Sequence, residues 1–144
     1  MKDTAIADIM VVRVITVGVE DRLSRVEERM RVNGIRHVPV IDEKGRVAGI
    51  FTQRDLFRAI SPRPTEEGTY VFDRDQLDTY RLRHFMTANP LTLRPEDSVA
   101  RAVELMGELK YGCIPIVDGG KKLVGIVTQI DILKFLARKL REAA

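Results

Sequence analysis

Cysteine and histidine are scarce in this chain of 144 residues, which has one cysteine and two histidines. Cys113 alone cannot form an internal disulfide, so the fold does not depend on an oxidising compartment and a cytoplasmic location is expected. His37 and His84 lie far apart in the sequence, and no metal-ligand spacing is present. The sequence therefore predicts neither a disulfide-stabilised domain nor a metal centre.

Long apolar runs, basic blocks and catalytic motifs are also missing. No apolar run approaches membrane-spanning length, and Asp3 and Asp8 stand where a secretory signal would be basic and then apolar. The net charge is only +3, with acids and bases interspersed, so a nucleic-acid surface is not indicated. There is no G-x-S-x-G, P-loop or G-x-G-x-x-G motif, so we predict that the chain is not an enzyme.

What the sequence does contain is one pattern written twice. Residues 6–60 align with residues 82–136 at a constant offset of 76, without a gap. Matching segments are V-P-V-I-D with I-P-I-V-D, and G-I-F-T-Q-R-D with G-I-V-T-Q-I-D. A repeat of about 55 residues buries little surface alone, so we expect the two copies to fold as one module with a ligand where they meet.

Each copy is predicted to run strand, helix, strand, strand, helix. The predicted strands are 14–17, 37–41, 47–51, 90–93, 114–117 and 123–127. The predicted helices start at Asp21, Thr52, Asp97 and Thr128. Pro39 and Pro115 fall inside strands, which predicts that those strands lie at an edge or carry an irregularity.

Three segments lie outside this pattern or add to it. Residues 61–81 belong to neither copy and open with two prolines, so a plain connector is favoured over a segment that becomes helical before Met86. Residues 137–144 are predicted to form a solvated helical tail. The helix 98–109 carries a wide apolar stripe, which core packing explains in large part but which leaves room for self-association.

The strongest local signal is G-h-h-T-x-x-D, with h apolar, which places Thr52 before Asp55 and Thr128 before Asp131. A threonine where a strand passes into a helix can cap that helix, or can bind a phosphate beside the free N–H groups. The aspartate one turn later can accept hydrogen bonds from ribose hydroxyls. The cap and the ligand site are compatible, because a capped aspartate is held in one rotamer, and an acid–base pair of aspartates stays open.

A second signal distinguishes the two copies. Arg36 and His37 precede the proline strand of the first copy, where the second has Gly112 and Cys113. Arg36 can clamp a phosphate, and His37 can add a donor whose charge depends on pH. The alternative is an exposed arginine and a partly buried histidine without a ligand. Because the second copy lacks both cations, we expect two unequal sites.

These tandem units, h-P-h-h-D followed by G-h-h-T-x-x-D, closely resemble a pair of cystathionine β-synthase (CBS) domains over residues 6–136. The resemblance implies an α+β fold with two β-α-β-β-α repeats packed about a pseudo-twofold axis. The implied domains are 6–60 and 82–136, with 61–81 as linker and 137–144 as tail. It also implies clefts between the repeats that bind AMP, ADP, ATP or S-adenosylmethionine.

The resemblance assigns roles to particular residues. Ribose binding is assigned to Asp55 and Asp131. The phosphate-side positions are Thr52, Thr128, Arg36 and His37. The adenine slot is assigned to Ile15, Ile50, Leu91 and Ile126. No catalytic residue and no metal ligand follow from it.

The function implied is that of a stand-alone regulatory module. Its expected ligand is an adenine nucleotide, alone or with Mg²⁺, and no catalytic cofactor is expected. A homodimer that signals to an effector protein in trans, without a membrane, is the expected assembly. Two other classes stay open: a non-catalytic dimeric scaffold with vestigial clefts, and a weak nucleic-acid binder that uses the small basic excess.

Overall fold

The computed structural model describes residues 4–144, which form two compact units whose limits cross those of the repeat. The N-unit contains Ile15–Glu43 and Ala48–Asn89. The C-unit contains residues 4–14, 44–47 and 90–144. The segment that opens the first copy therefore belongs to the C-unit, and the segment that opens the second copy belongs to the N-unit. The predicted boundaries describe the sequence repeat, and the compact units do not follow them.

The N-unit is an α+β unit built on a four-stranded sheet. Its elements are β1 (Val17–Gly18), α1 (Leu23–Asn33), β2 (His37–Ile41), β3 (Val47–Thr52), α2 (Gln53–Ala59), β4 (Arg63–Pro64), β5 (Tyr70–Val71), α3 (Arg74–Thr79) and β6 (Thr87–Ala88). The sheet order is β1-β2-β3-β6, with β1 parallel to β2 and β6 antiparallel to β3. One residue of β3, Val47, belongs to the C-unit.

The first strand is shorter than predicted. Only Val17 and Gly18 pair with β2, opposite Val40 and Ile41. Pro39 lies just outside the stretch that pairs with β1, but its strand is flanked by β1 and β3, so the predicted edge position is wrong for β2. The β-branched composition of 14–17 favours an extended chain, but a strand also needs a neighbouring backbone to pair with.

The predicted cap of α1 by Asp21 is wrong by one residue. The N-cap position belongs to Arg22, and Oδ2 of Asp21 instead accepts the N–H of Gly18 at 2.8 Å. The carboxylate thus closes the turn before the helix, and the N–H of Leu23 is satisfied by the Tyr80 carbonyl at 3.1 Å. The helix ends as predicted, at Gly34 with φ 61°, where the missing side chain permits a left-handed backbone.

Residues 61–81 are an integral part of the N-unit, so the prediction of a plain connector is wrong. The strands β4 and β5 pair with each other, and α3 packs against α1. Leu77 of α3 is only 2% exposed and lies in the hydrophobic core of the unit, with Phe72 packed against that core. A buried leucine of this kind ties the segment to the unit through the hydrophobic effect.

The C-unit repeats the plan around a two-stranded sheet. Its elements are α4 (Val99–Leu109), β7 (Cys113–Val117), β8 (Leu123–Thr128) and α5 (Gln129–Ala143), preceded by a 3₁₀ turn at Ile6–Asp8. The predicted strand 90–93 is reduced to one bridge between Leu93 and Ile116. Pro115 presents its carbonyl to the N–H of Leu93, and the ladder shifts register after Ile116, as the prolines in the strands predict.

The leading segment of the chain is tied into the C-unit by side chain and backbone. Ile6 is fully buried in the core that α4, α5, β7 and β8 share. Its N–H donates to the carbonyl of Asp97 at 2.8 Å. Further along, Val11 and Ile126 exchange two backbone hydrogen bonds of 2.9 and 3.0 Å. Residues 6–11 therefore complete the unit that carries the second motif.

The helices of the C-unit bury most of their apolar residues in the core and leave a few of them exposed. The apolar stripe of α4 is largely core, with Val99, Ala102 and Met106 buried and Leu109 exposed. Ser98 caps α4, and its Oγ accepts the N–H of Arg101 at 3.1 Å. The predicted tail is the end of α5, whose outward apolar residues are Ile130, Leu133 and Leu140. None of the helices in residues 4–144 has the length and apolar character that a bilayer crossing requires.

Candidate functional site

Both G-h-h-T-x-x-D motifs form the same corner, in which a strand passes directly into a helix. In the N-unit, Oγ1 of Thr52 accepts the N–H of Asp55 at 3.2 Å, and Oδ2 of Asp55 accepts the N–H of Thr52 at 2.9 Å. In the C-unit, the equivalent bonds between Thr128 and Asp131 are 3.4 and 2.8 Å long. The predicted caps are therefore confirmed as reciprocal capping boxes.

Each threonine hydroxyl also donates to its own aspartate. The distance from Oγ1 to Oδ2 is 3.1 Å in the pair Thr52 and Asp55, and 3.0 Å in the pair Thr128 and Asp131. A ligand phosphate would therefore have to compete with a carboxylate for the hydroxyl proton. The threonines hold Oδ2 of each aspartate in place, which leaves Oδ1 as the atom able to accept a hydrogen bond from outside.

The two aspartates differ at Oδ1. Asp55 is 5% exposed, and its Oδ1 is paired with the guanidinium of Arg58, one turn further along α2. Asp131 is half-buried, and within residues 4–144 its Oδ1 accepts no hydrogen bond. Lys134 stands at the position equivalent to Arg58 and is exposed. Arg58 was missed by the sequence reasoning, although its i,i+3 spacing from an aspartate on a helix is a known signal for a pair.

Arg36 and His37 adjoin the corner of the N-unit. The carbonyl of Arg36 accepts the N–H of Gln53, the first residue of α2, at 2.9 Å, and its side chain is exposed. The pKa of His37 is lowered, chiefly by burial and further by the Arg36 cation. His37 is therefore a neutral donor or acceptor at neutral pH, and of these two residues only Arg36 is a cation.

The corner of the C-unit has no such cation at the equivalent positions. The carbonyl of Gly112 accepts the N–H of Gln129 at 3.1 Å, and Cys113 lies directly opposite Thr128 in the ladder. Burial raises the pKa of Cys113 to about 12, so the thiol is neutral. No group of three or more histidine, cysteine, aspartate or glutamate side chains within residues 4–144 is arranged to hold a metal ion.

The residues assigned to the adenine slot lie in matching places. Ile50 and Ile126 are each 7% exposed, and both lie outside the two core clusters. Their neighbours Phe51 and Val127 belong to those clusters, so alternation along the strand places Ile50 and Ile126 on the opposite sheet face. Ile15 and Leu91 are half-buried and lie outside the strands, and Leu91 packs against the core of the C-unit.

Each predicted site residue lies in the unit that carries the motif of its own copy. The N-unit holds Ile15, Arg36, His37, Ile50, Thr52 and Asp55. The C-unit holds Leu91, Ile126, Thr128 and Asp131. Each unit thus carries its own aspartate, threonine and apolar positions.

Lowering the pH is expected to destabilise the fold through His37. Because its folded pKa lies below the ordinary value of 6.5, the unfolded chain takes up the proton first as the pH falls. The contribution is complete above pH 6.5 and is lost as the pH falls through the folded pKa. We expect urea denaturation between about pH 7.5 and 5.5 to show a smaller fall in unfolding free energy for His37→Gln than for the wild type.

His84→Gln removes an exposed histidine and is the matched control for that comparison. An equal fall for His37→Gln and the wild type would show that His37 does not carry the pH dependence.

Two similar units, each with a capped aspartate at its corner, define a tandem α+β module. The family model for the CBS domain matches the chain at residues 6–62 and again at 82–138. The chain therefore belongs to the CBS domain family and carries a pair of these domains.

Relatives and solved structures agree with this assignment. A CBS domain-containing protein of Dictyostelium discoideum is 32% identical over 127 residues, which is 87% of this chain and 86% of that protein. By contrast, the chain spans only 33% of an uncharacterized Methanocaldococcus jannaschii protein to which it is 30% identical.

Two solved structures share the fold. The CBS domain pair of protein MJ0100, in complex with 5′-methylthioadenosine and S-adenosyl-L-methionine, has a TM-score of 0.79 at 24% identity. It matches 96% of this chain and 99% of that one. CBSX2 in complex with AMP has a TM-score of 0.77 at 22% identity, with 93% and 96% covered.

Proposed function

We propose that this CBS domain pair is a regulatory module that binds adenosine-containing ligands at its two strand-to-helix corners and has no catalysis of its own. The observation that carries the proposal is the aspartate at each corner. Its Oδ2 is fixed by the backbone N–H and the hydroxyl of the preceding threonine, and its Oδ1 faces no capping donor. Two CBS pairs of the same fold hold adenosine derivatives, which supports the proposal.

The chemistry of the corners suits a nucleoside. A ribose has vicinal hydroxyls that donate to a carboxylate, and a carboxylate held in one rotamer loses little entropy on binding them. Ile50 and Ile126 offer an apolar surface to the adenine ring. Arg36 offers a guanidinium to a phosphate at the N-unit corner, with or without Mg²⁺ on the nucleotide.

Regulation requires that the ligand binds one conformation of the module more tightly than another. Only such a difference in affinity can shift the population that a partner protein recognises. We propose an effector protein in trans and a homodimer as the setting for this shift, in the cytoplasm. That one ligand contacts both repeats stays a prediction.

A thermal-shift screen followed by calorimetry tests the proposal. AMP, ADP, ATP, S-adenosylmethionine and 5′-methylthioadenosine at about 100 times their Kd are each expected to stabilise the protein by about 2.7 kcal/mol. Asp55→Ala and Asp131→Ala are each expected to weaken binding at their own corner by about tenfold or more, since one charge-assisted hydrogen bond is lost. The double variant should bind none of the ligands measurably.

Both substitutions also remove the N3 half of a capping box, which costs about 1 kcal/mol of stability by itself. Asp73→Ala is the matched control, because Asp73 caps α3 by accepting the N–H of Asp75 at 3.0 Å and is not part of either corner. It should lower stability by a similar amount and leave every Kd unchanged. Wild-type protein that is stabilised by none of the ligands would overturn the proposal.

That negative outcome would favour the second candidate, a non-catalytic interaction scaffold. One observation supports this candidate independently of any ligand. The α5 helix exposes Ile130, Leu133 and Leu140 by 58%, 60% and 72%. An apolar helix face of this kind marks a surface for another protein, and a second copy of the chain is the partner that the homodimer prediction implies.

A further inference from the structure

We infer that Arg58 selects ligands at the N-unit corner: it covers Oδ1 of Asp55 when no ligand is bound, and it passes to the anionic group of a phosphorylated ligand. The inference rests on the proposed function. It adds a residue outside the G-h-h-T-x-x-D motif, and it makes the two corners differ in the charge of the ligand they prefer.

The first step concerns the hydrogen bonds that Asp55 accepts. Its carboxylate receives the N–H and the hydroxyl of Thr52 on Oδ2, and the guanidinium of Arg58 on Oδ1. The carboxylate is nearly inaccessible, whereas the side chain of Arg58 is 65% exposed. A ribose hydroxyl that reaches Oδ1 must therefore move Arg58 aside or share the oxygen with it.

The second step concerns how readily Arg58 moves. It is the penultimate residue of the short helix α2, and its guanidinium has no ion pair besides Asp55 within residues 4–144. The guanidinium is largely exposed and stays hydrated after it leaves, and both bonds from Thr52 still hold the carboxylate, so the ion pair can open without unfolding the corner. The buried carboxylate stays satisfied if a ribose hydroxyl takes the vacated position.

The third step concerns what Arg58 gains after it leaves Asp55. A guanidinium binds phosphate oxygens through short, charge-assisted and often bidentate bonds. An adenosine phosphate therefore replaces the ion pair that it breaks, and Arg36, whose carbonyl accepts the N–H of Gln53, carries a second, exposed guanidinium. Adenosine breaks the same ion pair but has no phosphate group with which Arg58 can pair. The N-unit corner should thus favour phosphorylated ligands.

The C-unit corner provides the contrast. Oδ1 of Asp131 is open to a ribose, and Lys134, at the position of Arg58, makes no ion pair with it. Gly112 and Cys113 replace Arg36 and His37, so these two positions offer no cation to a phosphate. This corner should therefore bind adenosine about as well as AMP.

Calorimetry on single-corner variants tests the inference. The Asp131→Ala variant keeps only the N-unit corner. The Kd of AMP and the Kd of adenosine are measured for this variant and for the double variant that also carries Arg58→Gln. Adenosine is expected to bind about threefold more tightly to the glutamine variant, because no ion pair has to be broken. AMP is expected to bind more weakly, so that the preference for AMP falls by about tenfold.

Arg54→Gln is the matched control, since it removes the same charge from an exposed position on the same helix. It should leave the preference for AMP within about twofold of its parent, because screening weakens a charge that makes no direct contact. A reciprocal variant, Lys134→Arg in an Asp55→Ala background, should weaken adenosine binding at the C-unit corner by covering Oδ1 of Asp131.

The outcomes separate the inference from the function on which it rests. If AMP and adenosine bind the N-unit corner but their ratio is the same for Arg58 and Arg58→Gln, the role of Arg58 is wrong and the proposed function stands. An equal fall in the preference for AMP with Arg54→Gln would show that the total charge of the helix, and not the position of Arg58, sets the preference. That result would also overturn the role of Arg58. If neither AMP nor adenosine binds the wild-type protein, the role of Arg58 is wrong, and the thermal-shift screen with the other ligands decides whether the proposed function fails as well.

Discussion

Replacing Ile6 by alanine is expected to destabilise the C-unit, although Ile6 opens the first repeat. Its side chain is fully buried in the core of the C-unit, together with Ile114, Ile116 and Val127. Truncating a buried isoleucine to alanine costs about 2–5 kcal/mol, from the lost transfer free energy and the cavity that remains. The backbone bonds of residues 6–11 hold that segment in place, so the cavity cannot simply collapse.

Hydrogen exchange read by mass spectrometry locates the loss. Ile6→Ala should lower protection first in β7, β8 and α4, and urea denaturation should give the cost in free energy. The sequence offers a crossed control, because Leu82 lies 76 residues after Ile6, is also fully buried, and belongs to the core of the N-unit. Leu82→Ala should therefore lower protection first in β2 and β3.

A surface control completes the set. Val12 is 65% exposed, and Val12→Ala should change stability by less than about 0.5 kcal/mol. The placement of Ile6 in the core of the C-unit would be contradicted if Ile6→Ala lowered the hydrogen-exchange protection of β2 and β3 but not that of β7 and β8.

The two corners could be predicted from the sequence, because the hydrogen bonds that form them join residues that lie close together in the chain. Thr52 and Asp55 lie three residues apart, and the bonds that join them depend only on the start of one helix. The same holds for Thr128 and Asp131. Hydrophobic periodicity likewise located the longer helices and strands, since both elements have a fixed period.

What could not be predicted is which unit a segment joins. Ile6 and Leu82 are apolar residues before a strand, and nothing in their neighbours indicates which of two similar cores receives them. Leu77 is a single buried leucine in a polar segment, too little to form a pattern with period 3.6. Asp21 had two nearby N–H groups to satisfy, and the choice between a turn and a helix cap rests on small differences in geometry.

The pairing of Arg58 with Asp55 could have been predicted, because the two residues lie three positions apart on one helix, but it was not among the predictions. The shared motifs indicate the residues that the two copies have in common, whereas this further difference between the corners lies at positions 58 and 134, where the copies have different residues. Arg58 and Lys134 occupy equivalent positions, and only the arginine pairs with its aspartate. Comparing unlike positions within an aligned repeat is the more informative test for unequal sites.

Alanine at the glycine of either motif is expected to clash with the leading segment that pairs with the strand there. A Cβ at Gly49 would lie 2.6 Å from Sδ of Met86 and 2.8 Å from the carbonyl oxygen of Thr87. A Cβ at Gly125 would lie 2.7 Å from Sδ of Met10 and 3.1 Å from the carbonyl oxygen of Val11. Overpacking of this kind costs about 1–3 kcal/mol, and Gly49→Ala should lie at the upper end because a backbone atom is also too close.

The two glycines should differ in whether a second substitution rescues them. Met10→Ala removes the close sulfur at Gly125 and leaves a contact of 3.1 Å that a small shift can relieve, so the double variant should recover much of the cost. Met86→Ala leaves the carbonyl of Thr87 at 2.8 Å, which is too close for a small shift to relieve, so Gly49→Ala should not be rescued. Double-mutant cycles from urea denaturation measure the coupling in each pair, expected near about 1 kcal/mol for Gly125 with Met10 and near zero for Gly49 with Met86. Equal coupling energies at both corners would mean that the methionine sulfur atoms, and not the backbone carbonyls, exclude alanine at these two positions.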